Sequence, residues 1–237
     1  MPEASFGYQQ RLSRGLIAKG QRGSSGWGDG GSRYYQQMVT RREVDPQNFN
    51  SQIYYPYSLR QLDFQLAMQD IYDFFHDMNV NLRSRSLRRF EDMSRPAMLS
   101  GMLSDMLTDS LAKHSRSLVV NAHFNGHPDL LENGKYPRDS VSSGEHGVEI
   151  KSTKKPGGAV DTHGARDQWM CVFVYKTDSS TEPVDSREAL RFTEVYLGRV
   201  TVDDFRSNGR GPLGTRTATL DALGIAKLRK NWVYLDR

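Results

Sequence analysis

The chain has 237 residues, 37% of them hydrophobic, with ten Phe, eleven Tyr and three Trp, which is enough for one sizeable core and too apolar for wholesale disorder. A single cysteine, Cys171, excludes an intramolecular disulfide framework. With neither a signal-peptide opening nor an apolar run of about 18 residues, the expectation is a soluble cytoplasmic protein with no membrane partner.

The net charge of +4 is uneven. Residues 1–42 carry seven Lys and Arg against Glu3 and Asp29, a local +5, so the remainder is close to neutral at about one negative charge. Residues 1–32 also hold eight of the 21 glycines and read as a flexible basic arm suited to a polyanionic partner.

Residues 33–115 form a helical region ahead of a sheet-rich core over 116–237, the two together making one domain. Leu59, Leu62 and Leu66 run at helical spacing, overlapping Phe64, Met68, Ile71, Phe75 and Met78, with Ser58 as the expected N-cap. A second helical unit follows the arginines at 83, 85, 88 and 89, and Ser94-Arg95-Pro96 opens a third that runs to about His114. In that third helix Met98, Leu99, Met102, Leu103 and Met106 form the expected apolar arc, the methionines as core packing. Asp109 falls inside the arc and Asp105 at its edge.

After Ser115 the period drops toward two: SLVVNAHF, GVEIKST, WMCVFVY, FTEVYLGRV and WVYLD read as strands separated by Gly, Pro, Asn and Ser clusters. A short helix is expected near residues 164–168. Helices first and a mixed sheet afterwards give an α/β class of α+β flavour.

Within GVEIKST, strand alternation turns Val148 and Ile150 to one face and Glu149 and Lys151 to the other. Asp129 follows the Gly126-His127-Pro128 turn and opens a short segment, DLLE, which brings its carboxylate beside Glu149 if the two strands pair. Two converging carboxylates need a cation between them, and all-oxygen ligation selects Mg²⁺ or a similar hard ion. The competing reading is an edge strand whose Glu149 and Lys151 form a solvated pair, with Asp129 a turn residue. His123 and His127 are four apart but sit in strand-like sequence with no third ligand, which argues against a helical metal pair.

Pro128-Asp129, a gap of 19 residues, and Glu149-Ile150-Lys151 resemble the PD-(D/E)xK nuclease superfamily, which includes most type II restriction endonucleases. The resemblance implies a restriction endonuclease-like sheet, Asp129 and Glu149 as metal ligands, the Ile150 main-chain carbonyl as a further metal contact, and Lys151 orienting or deprotonating the attacking water. It also implies an acid from the preceding helix, for which Asp109 is the candidate, a last-turn aspartate paired with a nearby arginine being the competing reading, and a helix after the Glu-x-Lys strand that brings Arg166 or Gln168 to phosphate, against a purely structural role for these two.

The DNA-binding candidates are loop residues: Lys135, Arg138, Lys154 and Lys155 near the triplet, and Arg206, Asn208, Arg210 and Arg216 farther on, Arg suited to guanine and Asn to adenine. The expected partner is double-stranded DNA, cut at a short sequence by a homodimer. A structure-specific or repair nuclease of the same superfamily stays open, as does a non-catalytic DNA-binding module.

Overall fold

The computed structural model describes residues 41–207 and 217–236. The basic arm, Asn208, Arg210 and Arg216 lie outside the described residues. Among the described residues three helices come first: α1 (Gln61–Ser84), the single turn α2 (Phe90–Met93) and α3 (Pro96–His114). Six strands then form a mixed sheet in the order β1 (Leu118–Val120), β2 (Leu130–Glu132), β3 (Gly147–Thr153), β5 (Gln168–Lys176), β6 (Arg191–Val200) and β9 (Trp232–Leu235). All neighbours are antiparallel except β3 and β5. A second, antiparallel sheet joins β4 (Asp161–Thr162), β8 (Ala218–Leu220) and β7 (Phe205–Ser207), and helix α4 (Ala222–Lys230) precedes β9. The class is α+β.

The central sheet is covered on both faces, and β5 shows how. Cys171, Phe173 and Tyr175 enter the larger core with α1 and α3, while Met170, Val172 and Val174 enter a smaller core with Val160, Leu220 and Leu228. A strand buried on both sides reads as a continuous apolar run, which is what WMCVFVY is.

The helix faces are rotated from the expected ones. Helix α1 buries Phe64, Ala67, Met68, Ile71, Tyr72 and Phe75, and leaves Leu62 and Leu66 exposed. Its N-cap is Arg60 rather than Ser58: Asp63, at the third helical position, accepts the Arg60 amide at 2.9 Å, while Ser58 sits in the preceding turn at φ +54°. Helix α3 buries Leu99, Leu103, Leu107 and Leu111 at strict four-residue spacing. Met102 and Met106 flank that row, and Met98 is exposed. Asp109 lies two residues from both Leu107 and Leu111, about 200° around the helix. It is therefore exposed, not inside the apolar arc.

No helix forms between β3 and β5. Residues 154–167 cross over through loops and the two-residue β4. Gly157, Gly158 and Gly164 take positive φ there, and Pro156 with β-branched Val160 and Thr162 completes a composition that disfavours a helix.

Candidate active site

Asp129 stands immediately before β2, and β2 pairs with β3 through Leu130 with Val148 and Leu131 with Gly147. Pro128 has no amide with which to continue that ladder. The Asp129 carboxylate takes up the next free donor instead, accepting the Ile150 amide on Oδ2 at 2.8 Å. Amide and carbonyl of one strand residue point to the same edge, so the Ile150 carbonyl shares the side on which Asp129 lies. Glycine at 147 lets the two strands come this close: a Cβ there would collide with the Leu130 carbonyl oxygen and lie 2.7 Å from Pro128 Cγ.

The three expected side chains converge. Lys151 Nζ lies 2.5 Å from Glu149 Oε1 and 3.5 Å from Asp129 Oδ2, and Glu149 is 1% exposed. This is not a solvated edge-strand pair, because β3 is internal to the sheet and Glu149 is buried. The opposite face of Glu149 is held by a residue the sequence reading set aside: His127 Nδ1 is 3.3 Å from Glu149 Oε2.

A buried carboxylate is costly unless partnered, and the two here are partnered unequally. Burial pushes the Asp129 carboxyl up; Lys151 opposes this, the Glu149 charge adds to it, and the pKa is raised. Burial acts on Glu149 in the same sense, but the His127 contact and the Lys151 charge hold it down to about 2. Lys151 is pulled down by burial and raised above its ordinary value by Glu149 and Asp129, so it remains an ammonium at neutral pH.

Among the described residues, His127, Asp129 and Glu149 form a cluster that could hold a metal ion, with one donor atom from each all within 4.8 Å of one another. Asp109 is outside that cluster. It lines, with Asp105, Thr108 and Asp129, a cleft of about 320 Å³ between α3 and the β1–β2 loop. Asn121 fixes the loop that delivers His127 and Asp129. Its Nδ2 donates to the carbonyls of Pro128 and Val141 at 3.0 and 2.9 Å, and its Oδ1 accepts the amides of His123 and Val141 at 3.0 and 3.1 Å.

The remaining candidates are scattered. Lys154 is occupied by Thr177 Oγ1 at 2.7 Å and by the Tyr175 ring, 5.8 Å from its centroid. Lys155 and Arg206 are exposed, Arg206 on β7 of the small sheet, and Lys135 and Arg138 are exposed in the β2–β3 connection. Arg166 is half-buried in the crossover and not on a helix. Gln168 is the buried first residue of β5; the β3–β5 register sets Met170 beside Glu149, so Gln168, two residues before Met170, faces the Glu149 side of the sheet.

The sequence carries only partial signals for His127 and Asn121. His127 is two residues from Asp129, which is a hint of proximity and no more, since Pro128 and Asp129 lie in bends ahead of β2. Asn121 sits just past a strand, where Asn side chains commonly bond neighbouring backbone. A scan against protein-family models gave no match, and searches of curated proteins and of solved structures gave none either. Among the described residues, no helix is long and apolar enough to cross a membrane.

Proposed function

We propose that this chain is a divalent-metal-dependent endodeoxyribonuclease of the PD-(D/E)xK type, hydrolysing DNA phosphodiester bonds at a short specific sequence as a homodimeric restriction enzyme does. One observation carries the reading: Asp129, Glu149 and Lys151, separated in sequence, meet around one buried point, with Lys151 within 3.5 Å of both carboxylates. A solvated surface pair gains nothing from such burial; a site that must hold a cation and polarise a phosphate does.

The donor set fits a hard dication. Asp129, Glu149 and the Ile150 carbonyl would hold Mg²⁺, and Asp129 in particular is a carboxylate whose ionised form lacks full compensation. When bound, the ion supplies a water of lowered pKa and neutralises charge on the phosphate. The chain's own part falls to the flanking groups. Lys151, kept protonated by its two neighbours, donates to a phosphate oxygen or to the attacking water and orients it; with a raised pKa it is not the proton acceptor. The Ile150 amide fixes Asp129, and His127 fixes Glu149, so neither carboxylate has to be ordered at the moment of reaction. Lys155 and Arg206 are free to meet the backbone of the duplex.

The discriminating experiment pairs cleavage with binding. Asp129→Ala should abolish Mg²⁺-dependent cleavage of duplex DNA while a gel shift in Ca²⁺ persists. Cleavage surviving in the variant would remove the triplet from the chemistry, and binding by a wild-type protein that never cleaves would turn the reading to a DNA-binding module.

A further inference from the structure

The sequence motif provides oxygens alone, yet the structure sets a nitrogen among them. His127 contributes its imidazole to the same cluster as Asp129 and Glu149, with one donor atom from each within 4.8 Å of the others. Ligands of an octahedral dication at about 2.1 Å from the metal are about 3 Å apart when adjacent and about 4 Å when opposed, so small side-chain adjustments bring all three to one ion. The imidazole is about as buried as such a ligand needs to be, with its side chain 15% exposed and Glu149 at 2%. Its backbone is fixed at both ends: the His127 amide donates to the Ser142 carbonyl at 3.2 Å and the His127 carbonyl accepts the Gly144 amide at 2.8 Å. The side chain is therefore delivered to the carboxylates by the loop and does not swing in from solvent.

Resting on the nuclease reading above, we propose that His127 is a direct third side-chain ligand beside Asp129 and Glu149 and that the site consequently selects Mn²⁺, or a similar nitrogen-tolerant dication, over Mg²⁺. The reason is the chemistry of the donors. Mg²⁺ favours oxygen and keeps its waters, whereas affinity for imidazole grows along the first-row transition metals beginning at Mn²⁺. A site of two carboxylates and one imidazole discriminates where a site of oxygens does not. Lys151, 2.5 Å from Glu149 Oε1, occupies the carboxylate oxygen opposite the one His127 faces, which leaves the His127 side of Glu149 for the ion.

The test uses the full chain loaded with Mn²⁺ and read by pulsed electron paramagnetic resonance, beside calorimetric titrations with Mn²⁺ and with Mg²⁺. Wild type and a His163→Ala control, whose ring centroid lies 6.5 Å from that of His127, should show the ¹⁴N modulation of a coordinated imidazole. His127→Ala should lose it. The same variant should bind Mn²⁺ at least about tenfold more weakly while its Mg²⁺ affinity moves far less. His127→Gln, which retains a polar contact to Glu149, should share the Mn²⁺ loss and guards against a folding defect, checked by thermal melting. Bound Mn²⁺ without nitrogen modulation, or equal losses for both ions, would make His127 an orienting partner of Glu149 only and overturn the proposal while leaving the nuclease reading intact. Wild-type protein that binds neither ion would defeat both.

Discussion

Asp129 and Glu149 share one site and have opposite electrostatic histories. Because the folded-state pKa of Asp129 is raised, the stability linked to its protonated form is present below the ordinary carboxyl value and is lost as pH rises through the raised one. At neutral pH the ionised Asp129 therefore costs stability. Asparagine at this position keeps an oxygen for the Ile150 amide and removes the charge, so Asp129→Asn should melt higher than wild type at pH 7 in EDTA. The difference should vanish below about pH 4, where the wild-type group is itself protonated. A variant that melts lower at pH 7 would show that Lys151 over-compensates Asp129. Glu149 behaves in reverse: its contribution is present above the ordinary value and lost as pH falls toward 2. Lys151 acts as a charged donor, so Lys151→Met should lower the single-turnover cleavage rate by about 10²–10³ with DNA binding retained. A rate within a fewfold of wild type would mean that the ammonium only neutralises the carboxylates.

At the scale of elements, the strands were the most legible feature. GVEIKST, WMCVFVY and FTEVYLGRV lie within β3, β5 and β6, because alternation and β-branched runs are local signals. Helix existence was legible, and helix faces were not. Leu62 and Leu66 were as plausible a buried row as Phe64 and Met68, and only the sheet they pack on decides between them. Helix α4 was passed over, although Asp221 is a good N-cap whose carboxylate accepts the Gly224 amide at 2.8 Å; nine residues carrying three basic side chains make a weak periodic signal. The short helix expected near residues 164–168 does not form, and the positive-φ glycines of residues 154–167 argue against it. Burial also hides a polar knot that no pattern reveals. Arg89 of the turn before α2 is 6% exposed and donates to Asp92 and to the carbonyls of Asp178 and Glu188, tying the helical layer to the β5–β6 connection. Burial alone would raise the Asp92 carboxyl, but Arg89 and Arg187 hold it below its ordinary value. Arg89→Ala leaves Asp92 with Arg187 alone and deprives the carbonyls of Asp178, Arg187 and Glu188 of their donor, and should destabilise the fold by about 3–5 kcal/mol in urea unfolding. A loss under about 1 kcal/mol would show the knot to be solvated.

Across the whole molecule, the triplet of the site was readable because its residue types and spacing are sequence properties. His127 and Asn121 were not read, because their roles depend on how the β1–β2 loop folds back on the 136–143 segment. The same limit applies to DNA contacts. Lys154 is engaged by Thr177 and Tyr175, whereas Lys155 beside it is exposed. If Lys155 meets a phosphate, Lys155→Ala weakens binding to all duplexes alike and lowers the salt slope of log affinity by about one, while Lys154→Ala changes it less. Equal effects at both positions would mean that the Lys154 contacts open on binding.

What is proposed is that Asp129 and Lys151, meeting at the buried Glu149, cleave DNA with it. The most direct measurement is a gel of unmodified and fully methylated phage DNA incubated with purified protein in Mg²⁺, Mn²⁺ or EDTA, beside the Glu149→Gln variant. Discrete fragments that need the metal and vanish in the variant are the predicted result. DNA left intact by wild type under every metal, or cut equally by the variant, would contradict it.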